Sequence, residues 1–186
     1  MPTPAKTSLD AIIAAGRAAV SGGGADALTM EHVAKAVGVR APSLYKRVRS
    51  RSELVRMVVE DLLRELARTL EAAAGTGDPA EDLRAMAHAF RAFARAQPYA
   101  FALLFSGAPH ESRPDPELLV ATIQPVLRTT EAVAGPEGAL PAARTFTAWV
   151  TGFMRMELAG AFQLAGDVDE AFEYGARRLA YALALD

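Results

Sequence analysis

Apolar positions recur at helical spacing along almost the whole chain. The longest run is Leu54, Val58, Leu62, Leu66 and Leu70, one every four residues, with Val55, Val59 and Leu63 beside them. That pattern predicts one helix with a broad buried face over about 51–74, which at ~1.5 Å per residue would extend ~36 Å. Ile12, Ile13 and Val20 mark an earlier helix from Ser8 to about Val20, ended by Gly22, Gly23 and Gly24. Helix-start signals then punctuate the chain. Ser50-Arg-Ser-Glu53 has the form of a capping box, Asp78-Pro79-Ala-Glu81 places an N-cap before a proline, and Asp115-Pro116 and Asp167-Val-Asp-Glu170 repeat the logic. These signals predict further helices at about 79–97, 99–106, 116–134, 140–165 and 168–185. No strand-like alternation, internal repeat or low-complexity tract interrupts them, so the expected fold is all-α. The irregular loop Ser106–Pro114 is the main exception.

The stretch Thr29–Leu54 has a second, tighter pattern. Val33, Ala34 and Val37 form one apolar face, and Gly38 follows where a helix ends in a left-handed residue. Val39 then enters as an apolar plug, Pro42 occupies a first helical turn, and Leu44 and Val48 pack a second short helix onto the first. The spacing Ala34, Gly38, Leu44 is that of a helix-turn-helix.

Charge changes the meaning of this packing unit. Between Lys35 and Arg56 lie Lys35, Arg40, Lys46, Arg47, Arg49, Arg51 and Arg56, with Glu53 the one acid. Residues 1–70 hold eleven Lys and Arg against seven Asp and Glu, whereas the remainder holds nine against fifteen, so a net −2 conceals halves of +4 and −6. A basic end joined to an acidic body suits a molecule that places one end on a polyanion. Basic residues on short helices are also ordinary solvated surface, but here turn, apolar spacing and charge coincide.

Leu28-Thr29, Val33-Ala34, Gly38-Val39, Ser43-Leu44-Tyr45 and Ser52-Glu53-Leu54, with the helix from Ser8, resemble the N-terminal DNA-binding domain of TetR-family transcriptional regulators. The resemblance covers roughly the first third of the chain. It implies a three-helix helix-turn-helix domain over 1–50 and a larger helical effector-binding and dimerisation domain over 51–186, connected by the helix at 51–74. It also implies Ala41, Pro42, Ser43 and Lys46 at base edges, with Arg40 in reach of bases or phosphate. Thr29, Tyr45, Arg47 and Arg51 would then hold phosphates of a palindromic double-stranded operator. Four positions depart from the family: Arg40 replaces Ser or Thr, Arg47 a His, Val48 a Phe and Arg51 a Lys. Arg40 is a poor N-cap, and Arg51 keeps the charge.

In the remainder, Leu83, Met86, Ala87, Phe90, Phe93 and Ala94 predict the inner face of one helix, and Tyr99, Phe101, Leu104 and Phe105 follow Pro98. Met86, Phe90, Phe93, Phe101, Leu104, Phe105, Ile123, Trp149 and Phe153 are candidates to wall an apolar effector pocket, although burial alone favours core for any one of them. The run from Phe146 to Phe162 resembles a regulatory domain of one TetR subgroup in which Trp precedes a His-Gly pair, with Thr151 in the place of the His. Gly152 and Gly160 predict close backbone approach. Gly175, Ala176, Ala180 and Ala184 give the last helix a complementary small face. The helices at about 140–165 and 168–185 could therefore pair with their copies as a four-helix homodimer interface.

Composition removes several classes. With no cysteine, neither disulfides nor thiolate metal sites are available. The polar start Met1–Lys6 predicts a short mobile arm with no secretory signal or membrane span, and the absence of cysteine is compatible with the reducing cytoplasm in which the protein is expected. His32, His88 and His110 lack metal-ligand spacing, Gly22–Gly24 lacks a following Lys-Ser/Thr, and Ser43 and Ser106 have no evident base. His88 is expected in the core. Neither cofactor, metal nor enzymatic activity is expected. The reading is a homodimeric repressor released from its operator by a small apolar effector; the alternative is a helical small-molecule carrier or enzyme with a non-functional head.

Overall fold

The computed structural model describes residues 8–105 and 110–183. Helices α1 (Leu9–Ala27), α2 (Met30–Ala36), α3 (Ala41–Leu44), α4 (Arg51–Ala73), α5 (Pro79–Ala96) and α6 (Pro98–Phe105) are followed by a single 3₁₀ turn (His110–Ser112), then α7 (Pro116–Leu158) and α8 (Val168–Ala182). Among the described residues there is no strand, and the fold is all-α. Part of the irregular loop at Ser106, the arm Met1–Lys6 and Ala184 lie outside the described residues.

Most helix starts are made by the caps that the sequence announces. Ser8 Oγ accepts from Ala11 N–H, Asp78 Oδ1 from Ala80 N–H, Asp115 Oδ1 from Glu117 N–H and Asp167 Oδ1 from Asp169 N–H. At α4, Ser50 Oγ accepts from Glu53 N–H, while the Glu53 carboxylate reaches back to Arg49 N–H at 2.7 Å, one residue before the usual capping-box donor. At α5 the reach-back comes from Asp82, which accepts from Gly75 N–H and from both the N–H and hydroxyl of Thr76. Glu81 pairs with Arg84 instead.

Three boundaries differ from the periodic reading. The first helix does not stop at the glycine triplet. It kinks at Gly23 and Gly24, whose φ of +68° is open to glycine, and continues to Ala27. The two helices placed at 116–134 and 140–165 are nearly continuous as α7, interrupted by Gly135 at φ +71° and resuming at Pro136. Its end falls at Leu158 because Gly160 adopts φ +63°, with Gly160 N–H bonded to Glu157 O and Ala161 N–H to Met156 O, a Schellman closure. Within the chain itself nothing packs closely on Gly152 or Gly160: a Cβ at either would meet nothing within 4 Å.

The chain forms two compact units, Met1–Arg64 with Gln97–Leu119, and Glu65–Ala96 with Val120–Asp186. In the first, Ile12 and Val20 of α1, Val33 and Ala34 of α2, Leu44, Val48, the first half of α4, and Ala100 and Leu103 of α6 share one core. Gly16 permits the α1–α4 contact, since a Cβ there would come within 2.6 Å of Val58 Cγ2. Arg17 ties the same unit together, 2.9 Å from Asp61 and 3.1 Å from Gln97 Oε1.

In the second unit α5 buries Leu83, Met86, Ala87, Phe90, Phe93 and Ala94, the expected inner face. It packs against α8, which buries Phe172, Ala176 and Ala180. Gly175 is where α8 receives Trp149, whose ring would lie 2.5 Å from an added Cβ.

Candidate nucleic-acid interface

Two short helices and one turn build the candidate surface. Thr29 caps α2 by accepting from His32 N–H at 3.1 Å, and its hydroxyl proton remains free to donate outward. Gly38 ends α2 at φ +73°, with Gly38 N–H bonded to Lys35 O and Val39 N–H to Ala34 O. Nothing lies within 4 Å of a Cβ built at Gly38, so backbone conformation, and not crowding, selects glycine there. The turn delivers partly buried Val39 to the core and starts α3 at Ala41.

Arg40 occupies the N-cap of α3 without a side-chain capping bond, as expected of arginine at that position. The helix is a single turn held from beneath by Leu44 and Val48, both fully buried. Burying such aliphatic side chains stabilises by about 1.5–3 kcal/mol each. With those two turned inward, Arg40, Pro42, Ser43, Tyr45, Lys46 and Arg47 are all exposed and Ala41 is half-buried. The sequence-derived candidates from Arg40 to Arg47 thus form one outward surface.

Its charge is available. Among the described residues Lys35, Arg40, Lys46 and Arg47 make no ion pair, whereas Arg49 and Arg56 approach Glu53 at 3.4 and 3.7 Å. The Arg49 N–H bond, reinforced by the Arg49 side chain, holds the Glu53 carboxyl below its usual range, so the one acid in the window stays ionised and caps α4. Arg51 is engaged differently. Its Nε donates to Leu28 O at 2.9 Å and one terminal nitrogen to Ala25 O at 2.7 Å.

The effector candidates are shared between the two units. Phe101, Leu104 and Phe105 belong to the first unit, where Leu104 packs on the core shared by α1–α4. Met86, Phe90 and Phe93 are buried in the second unit, and Ile123, Trp149 and Phe153 are half-buried there. Trp149 and Phe153 join Phe172 and Phe162 in an aromatic cluster with centroid separations of 4.9–6.0 Å.

Buried polar residues in this unit were not legible from the sequence. Arg91 is 6% exposed, lies 4.5 Å from the centroid of Phe172 and forks onto Glu157, with a further bond to Asp169. Glu157 is thus an internal ion-pair partner, joined also by Arg95 at 2.8 Å. His88, expected in the core, is half-exposed and lies 2.7 Å from the Glu173 carboxylate, because the neighbouring Arg84–Glu173 pair provides a polar edge at that turn of α5. The Thr151 hydroxyl oxygen is buried without a hydrogen-bond partner. Among the described residues no group of three or more acidic or histidine side chains is placed to hold a metal ion, and no helix is long and apolar enough to cross a membrane.

A helix-turn-helix with an outward cationic face, joined to a larger helical unit, defines a DNA-binding transcriptional regulator. The family model for bacterial regulatory proteins of the tetR family matches residues 12–58, and that for the tetracyclin repressor-like C-terminal domain matches residues 83–179, just over half of the chain. The chain belongs to the TetR family of transcriptional regulators. Its fold is similar to that of a protein with unknown function from Rhodococcus sp. RHA1, at 22% identity and TM-score 0.80 over 98% of this chain and 100% of that one. Apo ActR from Streptomyces coelicolor is similar at 19% identity, TM-score 0.74, and 98% and 97% coverage. A single-substitution variant of TetR from Acinetobacter baumannii AYE, solved in complex with minocycline, is similar at 22% identity, TM-score 0.71, and 95% and 96% coverage. No curated protein matches the chain.

Proposed function

We propose that the protein is a homodimeric repressor that reads a palindromic DNA operator and is released by a small, mainly apolar effector. The observation that carries the DNA half is the α3 surface: Leu44 and Val48 face the core while Pro42, Ser43, Tyr45, Lys46 and Arg47 face outward with unpaired charge. Ala41, Pro42, Ser43 and Lys46 meet base edges, Arg40 reaches a base or phosphate, and Thr29, Tyr45 and Arg47 hold phosphates that fix the register. Two heads ~35 Å apart then occupy successive major grooves on one side of the duplex.

Dimerisation uses the second half of α7 and α8. Their large apolar side chains Leu140, Met156, Leu158, Tyr174 and Tyr181 are 38–59% exposed, and Gly152 opens the face of α7 to close approach by another copy. The effector meets the half-buried Ile123, Trp149 and Phe153, which can be touched without opening the core, and the unpartnered Thr151 hydroxyl supplies one polar contact. The related fold solved with minocycline supports a small molecule as the signal. The effector lowers operator affinity to the extent that it prefers a different head separation. The protein is placed in the cytoplasm, on the nucleoid when bound.

Selection of duplexes from sheared genomic DNA at near-physiological salt tests this reading. Retention of a short palindrome with affinity falling steeply as salt rises is expected. Replacing both Tyr45 and Lys46 with Ala should cost at least about a hundredfold in affinity, on the order of 1–3 kcal/mol per specific contact, and leave the dimer intact. Equal retention of wild type and double variant would refute the residue assignment. Tight small-molecule binding or turnover without DNA retention would favour the carrier or enzyme.

A further inference from the structure

Arg51 stands at the first position of α4, where the positive end of that helix's own dipole disfavours a cation. What it gains lies elsewhere in the chain. Its guanidinium donates to Ala25 O, in the last turn of α1, and to Leu28 O, on the C-cap residue, 26 and 23 residues away in sequence. Carbonyls at a helix C-terminus lack the usual intrahelical donor; Ala25 O accepts from the Leu28 cap N–H as well, and the last turn of α1 carries no basic residue of its own. The α1 segment beyond the Gly24 kink is therefore held at its end by a side chain from α4. Leu28 is fully buried, Thr29 caps α2 directly after it, and α2 leads through Gly38 into α3.

We propose that Arg51 is a positioning residue for DNA reading: a strap that fixes the α1–α2 junction against the start of α4, and through it the angle of α2 and α3, in place of a phosphate contact. Two of its three nitrogens are committed to protein carbonyls, whereas Arg40, Lys46 and Arg47 have no ion-pair partner and supply the phosphate-facing charge. A lysine could match the charge but not the planar fork that spans two carbonyls. The inference rests on the proposed reading that the head binds DNA.

The test compares wild type, Arg51→Met, Arg51→Lys and Arg47→Ala on one duplex selected by the wild-type protein, with affinity measured across a salt series. Amide exchange of Leu28 and Thr29 is followed in the free proteins. A lost phosphate contact lowers the slope of log affinity against log salt by about 0.9 per contact, the result expected for Arg47→Ala. Arg51→Met is expected to weaken binding about tenfold or more with the slope unchanged, and to speed exchange at Leu28 and Thr29, whose amides bond Ala25 O and Ala27 O. Arg51→Lys falls between. A slope lowered as in Arg47→Ala, or unchanged affinity and exchange, overturns the proposal. If Arg51→Met does not fold, the same outcomes are read on Arg51→Lys. Absence of salt-dependent binding by the wild type would sink the DNA reading, while the exchange measurement still decides whether the strap exists.

Discussion

Gly38 and Gly160 close their helices with the same two backbone bonds and the same left-handed glycine, and the chain does opposite things after each. Beyond Gly38 it turns into a helix whose inner side chains are fully buried and whose outer ones are polar and cationic. Beyond Gly160 it runs to Gly166 without a single charge, with Leu164 92% exposed. A Schellman turn is thus a neutral connector. The character of the next segment is set by the partner its outward residues await: a polyanion after the first turn and, in the proposed dimer, an apolar protein face beside the second.

The largest expected effect comes from making the second face resemble the first. Replacing exposed Tyr174 and Tyr181 together with Glu should raise the dimer dissociation constant more than about a hundredfold in analytical ultracentrifugation, because a charge placed in an apolar interface must be desolvated. The far-UV circular dichroism should be kept, since neither side chain belongs to the core; an unchanged dimer would remove these tyrosines from the interface. A smaller effect separates the two turns. Gly38→Ala and Gly160→Ala each force an L-residue into left-handed backbone and should each cost about 1–2 kcal/mol in denaturant unfolding. Gly38→Ala alone should also weaken DNA binding in the remaining folded protein, and equal binding losses in both would break the contrast.

The smallest effect is in acid. In the head, the backbone N–H of Arg49 lowers the pKa of Glu53. In the second unit, Arg91 lowers that of Asp169, His88 that of Glu173, and the Thr76 and Gly75 donors that of Asp82 against its desolvation. Carboxylates lowered in the folded state stabilise it fully above their unfolded values and lose that contribution as pH falls through the lowered ones. The second unit holds three of these four groups, so its stability, followed by fluorescence of the single Trp149, should fall more steeply with acid than that of the head, followed by DNA binding. Coincident transitions would show that the two units titrate as one.

The helix-turn-helix was readable because each of its signals acts within about four residues: the Thr29 cap, the Gly38 turn and the pairing of Leu44 with Val48. The apolar faces of α4 and α5 were readable for the same reason, since periodicity reports burial locally. What escaped the sequence depends on groups far apart along it. The glycine triplet reads as a stop, yet α1 continues, with its end held by a guanidinium from α4. The partners of Arg91, Glu157 and Asp169, come from α7 and α8, more than sixty residues on, and Gly175 reads as part of a small face until Trp149 is placed against it. Aromatic residues mark cores as readily as pockets, so their spacing alone did not separate the effector candidates from the core; those around 101–105 pack in the first unit.

The brevity of α3 governs how the surface can change. At four residues without a side-chain cap it is far below the length at which a helix sustains itself, so Leu44 and Val48 dictate its shape from beneath. The outer residues from Pro42 to Arg47 therefore contribute little to keeping the segment folded. A library randomised at Ser43, Lys46 and Arg47 should yield mostly intact proteins that differ in the sequences they retain, which makes this head a scaffold for exchanging specificities.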